Sequence, residues 1–147
     1  MSLEKIIKDI PDEDKNRRIF ELISGMGKRK KRYRHDFNKD IYGNELKGFK
    51  IDPGVFNPAL ADDSYHFIEH LVRRDYTKNK DICEMGTGTG IGSIYIAKFG
   101  SPNNILAVDK NPKAIKNVED NRKNYSIDKN ILEVRESDLF SNIDKTE

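Results

Sequence analysis

Apolar residues recur at helical spacing at Leu3, Ile6, Ile7 and Ile10, and again at Ile19, Phe20, Leu22 and Ile23. Positions three and four apart share one face of a helix, so two short amphipathic helices are predicted, the first ended near Pro11. Pro11-Asp12-Glu13-Asp14 suits the start of the second, with proline in the first turn and acids at the positive end of the helix dipole. Gly25 and Gly27 close it. Over residues 36–58 the pattern changes. Phe37, Ile41 and Tyr42 precede Gly43-Asn44, and Leu46, Phe49, Ile51, Val55 and Phe56 follow it. This predicts a β-hairpin turning near Gly43-Asn44, although Asn-Gly is the preferred order in such turns. Asp52-Pro53-Gly54 reads as a second turn. Asp62-Asp63-Ser64 can cap a helix over 65–75 that buries Tyr65, Ile68, Leu71 and Val72.

From Lys80 onward strands alternate with helices. A strand at 81–85 leads into Gly86-Thr87-Gly88-Thr89-Gly90, then a helix carrying Ile91, Ile94, Tyr95 and Ala97 that stops at Gly100. A second strand, 105–109, ends in Asp109. Asn111-Pro112 caps a helix with Ala114, Ile115, Val118 and Tyr125, and a third strand covers 131–135 before Ser137-Asp138-Leu139-Phe140. This alternation predicts an α/β fold with a parallel sheet and right-handed crossovers. Three parts are expected: a helical segment with a basic run over 1–35, a hairpin over 36–58, and an α/β portion over 59–147. In a doubly wound sheet the first strand has neighbours on both sides. Only one is encoded before Glu147, so a bare strand edge is expected, with self-association along it.

Of the 147 residues, 35% are hydrophobic and 35% charged, an apolar share low enough to imply much solvated surface or a piece of something larger. The net charge of +2 is unevenly placed. Residues 1–50 hold 14 Lys/Arg against 9 Asp/Glu, and the excess sits in Lys28-Arg29-Lys30-Lys31-Arg32-Tyr33-Arg34. Such a run can meet a nucleic-acid backbone or form a solvated loop. No apolar run reaches the ~18 residues of a membrane span, and no signal peptide is visible. The single cysteine, Cys83, excludes a disulfide framework and fits a reducing, cytoplasmic setting; in a strand expected to be buried, it reads as packing.

The candidate chemistry lies at the ends of the three strands. Glycines between a strand and a helix let a ligand approach the backbone, and the helix N-terminus behind them attracts negative charge. Asp109 can accept both hydroxyls of a ribose. Asp138 can accept from an amino group on an adenine edge. Together they describe an adenosine-containing ligand across the carboxyl ends of the sheet. A dinucleotide site wants Gly-x-Gly-x-x-Gly; counting from Gly86 the last position is Ile91, and from Gly88 it is Ser93. Glu84 would also repel a pyrophosphate and attract an ammonium. S-adenosylmethionine carries an ammonium and a sulfonium and no phosphate, so it is favoured over NAD.

The set Glu84-x-Gly86-x-Gly88-x-Gly90, Asp109 and Asp138 resembles class I S-adenosylmethionine-dependent methyltransferases, which have a Rossmann-like sheet. The stretch from Asp109 through Pro112 and Ile115, with Asn121, resembles their second motif. Ile41 through Pro58 resembles the hairpin ahead of the catalytic domain in HemK-like protein-glutamine methyltransferases. The resemblance implies a cofactor-binding set of Glu84, Gly86, Thr87, Gly88, Gly90, Asp109, Lys110, Asp138 and Leu139, with Asp109 on the ribose and the Asp138 region on the adenine. It implies N-methylation of a planar amide or amine, a protein glutamine first, as on translation release factors. The alternatives are an RNA or DNA base amine, approached through residues 28–34, a truncated non-catalytic cofactor-binding module, and last a nicotinamide oxidoreductase.

Two departures from the family stand out. Asn57-Pro58 leads to Ala59 through Ser64 rather than to Pro-Arg and a Thr/Ser-Glu pair, and resembles an archaeal-type variant in which Asp62, Asp63 and Ser64 could also touch the cofactor. The family's Asn-Pro-Pro-Tyr motif, after a fourth strand, does not occur within these residues. No catalytic residue is therefore assigned, and the 147-residue chain alone is expected to be inactive. His66 and His70 lie one helical turn apart, but their order with Glu69 is not that of a zinc helix, so no metal is expected.

Overall fold

The computed structural model describes residues 31–40, 42–58 and 63–143. The two helices expected over 3–24, residues 28–30 of the basic run and Asp62 lie outside the described residues.

Strands β1 (Tyr33–Phe37) and β2 (Leu46–Ile51) form the antiparallel hairpin, pairing Tyr33 with Ile51 and Phe37 with Leu46. The register shifts between His35 and Phe37, where Lys47 and Gly48 of β2 oppose the single residue Asp36 of β1, as in a β-bulge. Two expectations are corrected here. The first strand begins inside the basic run at Tyr33, because Tyr33, His35 and Phe37 alternate inward while Arg34 and Asp36 face out. The connection is also wider than a tight Gly43-Asn44 turn. The Asp40 carboxylate accepts from the backbone N–H of Tyr42 at 2.9 Å and of Asn44 at 2.8 Å, so a side chain organises the loop.

Helix α1 (Asp63–Arg73) follows, then β3 (Asp81–Met85), α2 (Ile91–Phe99), β4 (Asn104–Asp109), α3 (Pro112–Asn124) and β5 (Leu132–Glu136). The three later strands form one parallel sheet in the order β3-β4-β5. Gly100 ends α2, its N–H bonding to the Ile96 carbonyl at 2.7 Å. Asn111 caps α3 by accepting from the N–H of Lys113 at 3.0 Å, with Pro112 in the first turn.

A single core joins these parts. Leu46, Phe49 and Ile51 of the hairpin, Ile94 and Tyr95 of α2, Val118 of α3 and Ile105 and Leu132 of the sheet belong to one buried cluster. Tyr95 donates a short hydrogen bond to Asp40, which fastens the hairpin loop to α2. Among the described residues β3 pairs only with β4. That placement overturns one reading. Cys83 is exposed, because it alternates with Ile82 and Glu84 onto the sheet face opposite the helices, on an edge strand. No helix among the described residues is long and apolar enough to cross a membrane.

Candidate functional site

The glycine loop is anchored at both ends. The N–H groups of Gly86 and Thr87 both donate to the Val108 carbonyl, at 2.9 and 3.0 Å, which moors the loop to the end of β4. The N–H of Gly90 donates to Thr87 O at 2.8 Å and closes the turn. Gly90 has φ +81°, and a Cβ there would lie 2.8 Å from Val118 Cγ1. Both the backbone conformation and the packing of α3 therefore require glycine.

Glu84 faces inward, beneath the start of α2. Its Oε2 accepts from Thr87 Oγ1 at 2.7 Å, from the Ser93 N–H at 3.1 Å and, in a short hydrogen bond, from Ser93 Oγ. It caps the first turn of α2, which has no side-chain cap of its own. Burial pushes the Glu84 carboxyl above the usual range, opposed by the hydrogen bonds from Ser93 and Thr87 and aided by nearby Asp109. The residue thus fixes the loop and the start of α2 from beneath.

Asp109, at the end of β4, holds two loops. Its Oδ2 accepts from the Gly88 N–H and its Oδ1 from the Asn111 N–H, each at 2.9 Å. A carboxylate oxygen has two lone pairs, so each retains one for a further donor. After β5, Ser137 is buried and organises the next turn: its Oγ donates to Leu139 O at 2.7 Å and accepts from the Asn142 N–H at 3.0 Å. Leu139 is held at φ +53°, a conformation non-glycine residues rarely adopt, with its side chain exposed.

These three strand ends enclose a cavity of about 210 Å³. Five of the sequence-predicted residues line it: Gly86, Asp109, Lys110, Asp138 and Leu139. Glu84, Thr87, Gly88 and Gly90 do not line it; they build the loop beside it. Met85, Val108 and Ser137 are lining residues that the sequence reading did not select. The position of Ser137 before an Asp in a turn was the available signal. Phe56, half-exposed, lies over the loop, its Cβ 3.8 Å from the place a Gly88 Cβ would occupy. A second cavity, about 260 Å³, lies between the hairpin loop and α1, floored by the stacked rings of Phe37 and Tyr65, and none of the predicted cofactor residues reaches it.

Two arginines of the basic run are engaged within the molecule. Arg32 pairs with Asp52 and Asp120, and Arg34 donates to Gly48 O and to Asn124 Oδ1, both at 3.3 Å. Both are thereby tied to the protein's own acceptors. His66 lies 3.5 Å from Glu69, and His70 3.3 Å from Arg73, on an exposed face of α1.

Comparison with known proteins places this geometry in context. Residues 47–147 match the family model described as the methyltransferase small domain. The chain is similar to a protein from Methanocaldococcus jannaschii named as a protein N5-glutamine methyltransferase, with 40% identity over 67% of this chain and 47% of the relative. It is similar to a release factor glutamine methyltransferase from Fusobacterium nucleatum, with 28% identity over 94% of this chain and 37% of the relative. It is also similar to a ribosomal protein L11 methyltransferase from Thermosipho africanus, with 30% identity over 65% of this chain and 35% of the relative. The chain thus spans half or less of the length of these relatives. Among solved structures, that of M. jannaschii TYW2 in complex with AdoMet shares the fold, with a TM-score of 0.52 and 20% identity over 70% of this chain and 43% of the other.

Proposed function

The chain belongs to the methyltransferase small-domain family, and from that premise we propose that it binds S-adenosylmethionine at the carboxyl ends of β3, β4 and β5 and serves N-methylation of a protein glutamine. The observation that carries the cofactor reading is the convergence of the glycine loop, Asp109 and the Ser137–Leu139 turn on one cavity. At about 210 Å³ it is smaller than the roughly 300–1,000 Å³ of whole-ligand pockets, so it suits the nucleoside part. Asp109 takes the ribose hydroxyls on its remaining lone pairs. Asp138 would accept from the adenine amino group and Leu139 would offer the ring an apolar wall, with Lys110 lining the same cavity. The methionine part would then run along Gly86–Gly90, the loop that Glu84 holds from beneath through Thr87 and Ser93.

The cofactor supplies an electrophilic methyl group on sulfur. The protein's task is to hold the acceptor nitrogen in line with it, because positioning alone can account for much of such a rate enhancement. The glutamine reading is supported by the two relatives named for that activity. Methylation of a ribosomal protein is the second reading, favoured by the relative from Thermosipho africanus. A nucleic-acid acceptor is less well supported, since Arg32 and Arg34 are spent on intramolecular partners.

Calorimetric titration with S-adenosylmethionine, with NAD as control, tests the cofactor. Saturable heat with the first alone, lost in Asp109→Ala, is expected. Binding of NAD in its place would refute the proposal. Because the 147-residue chain alone is expected to be inactive, binding of a glutamine peptide to the S-adenosylmethionine-saturated chain, compared with binding of ribosomal protein L11, separates the two acceptors.

A further inference from the structure

Two asparagines on one face of α3 carry an unusual share of the contacts between the hairpin and the α/β portion. Asn117 and Asn121 are both fully buried. Asn117 Oδ1 accepts from the Asp52 N–H at 2.7 Å, and its Nδ2 donates to Lys50 O at 2.9 Å. Asn121 Oδ1 accepts from the Lys50 N–H at 2.9 Å, and its Nδ2 donates to the same Lys50 O at 2.9 Å. The two side chains replace the missing ladder partner along the outer edge of β2, whose polar backbone would otherwise be buried without satisfaction.

Asn121 does one thing more. Its Nδ2 also donates to the carbonyl of Thr89 at 3.1 Å, inside the glycine loop. Thr89 is itself buried and immediately precedes Gly90, the left-handed residue from which α2 starts. Val118, between the two asparagines, packs on Gly90 from the same side. One amide therefore ties the hairpin backbone and the glycine loop to the same point on α3.

We infer that Asn121 is a positioning residue for the cofactor loop, coupling its conformation to the docking of the hairpin. The inference rests on the cofactor reading above for its functional consequence, and on the geometry alone for the coupling. Asn117 is the internal control, because it makes the same kind of hairpin contacts without touching the loop.

The test compares Asn121→Ala and Asn117→Ala by hydrogen–deuterium exchange of loop amides and by calorimetric titration with S-adenosylmethionine. Both variants are expected to lower thermal stability. Only Asn121→Ala should speed exchange at the N–H groups of Gly88 and Gly90, and only it should weaken cofactor binding, by about tenfold, equivalent to about 1.4 kcal/mol. Asn121→Asp keeps the acceptor toward the Lys50 N–H and loses the donors toward Lys50 O and Thr89 O, so it should weaken binding as Asn121→Ala does. Equal loop exchange and equal affinity in the two alanine variants would overturn the inference. Faster loop exchange in Asn121→Ala alone, from a chain that shows no saturable cofactor binding, would uphold the coupling and refute the cofactor reading.

Discussion

Replacing Gly90 by alanine tests the account of the glycine loop most sharply, because two separate costs apply there. The first is conformational. At φ +81° a residue with a Cβ is strained by roughly 1–2 kcal/mol. The second is steric. The new Cβ would sit 2.8 Å from Val118 Cγ1 and 2.9 Å from Cγ2, and overpacking of this kind costs roughly 1–3 kcal/mol. Together they give about 2–5 kcal/mol. At roughly 4 °C per kcal/mol for a chain of this size, the thermal midpoint should fall by about 8–20 °C. Gly86→Ala isolates the first cost, since Gly86 has φ +71° and nothing within 4 Å of the added atom. It should lose only about 1–2 kcal/mol. Val118→Ala removes both offending methyl groups, and in that background the Gly90→Ala penalty should shrink toward that of Gly86→Ala. The relief is incomplete because Val118 Cβ itself would be 3.2 Å away. Thermal and urea unfolding of the four variants gives the double-mutant cycle. Should Gly90→Ala prove no more destabilising than Gly86→Ala, or its penalty persist undiminished without the Val118 methyls, the packing argument is wrong.

Further outcomes follow from other sites. Asp109→Asn should weaken S-adenosylmethionine binding about tenfold, as loss of a charged hydrogen-bond acceptor costs roughly 1.5–3 kcal/mol; unchanged affinity by calorimetry would remove Asp109 from the ribose. Asp40→Ala should destabilise by about 1.5–3 kcal/mol, since its carboxylate accepts from Tyr95, Asn44 and Tyr42. Although burial pushes the Asp40 carboxyl up, those hydrogen bonds outweigh it and hold the group below the usual carboxylate range. Its contribution is therefore present at neutral pH and lost as acid protonates it, so the gap between wild type and Asp40→Ala should narrow on acid titration of stability. Cys83 should label completely in the folded chain, but more slowly than a free thiol at neutral pH, because partial burial raises its pKa and lowers the thiolate fraction; labelling only in denaturant would contradict the exposed edge.

Much of the α/β portion was legible in the sequence. Periodicity and punctuation are local, and each element from Asp81 to Glu136 needed only its own residues. Gly100 stops α2 and Asn111 caps α3 because a missing side chain or a short carboxamide acts within a few residues. The hairpin was legible in kind but not in extent. A strand beginning at Tyr33 was hidden because Tyr33 and Arg34 read as part of a basic run, and the alternation that matters appears only when β1 lies on β2.

The sequence by itself determined the order of elements, the parallel sheet and the residues at the three strand ends, since these follow from spacing along the chain. Tertiary structure alone decided which way they face. Whether Cys83 is covered depends on what lies beside β3, and whether Glu84 meets a ligand or the N–H of Ser93 depends on how α2 crosses the strand. The Asn117 and Asn121 contacts reach backbone groups 32 to 71 residues away. No local pattern marks them, because a buried carboxamide is favourable only where distant polar atoms arrive to satisfy it.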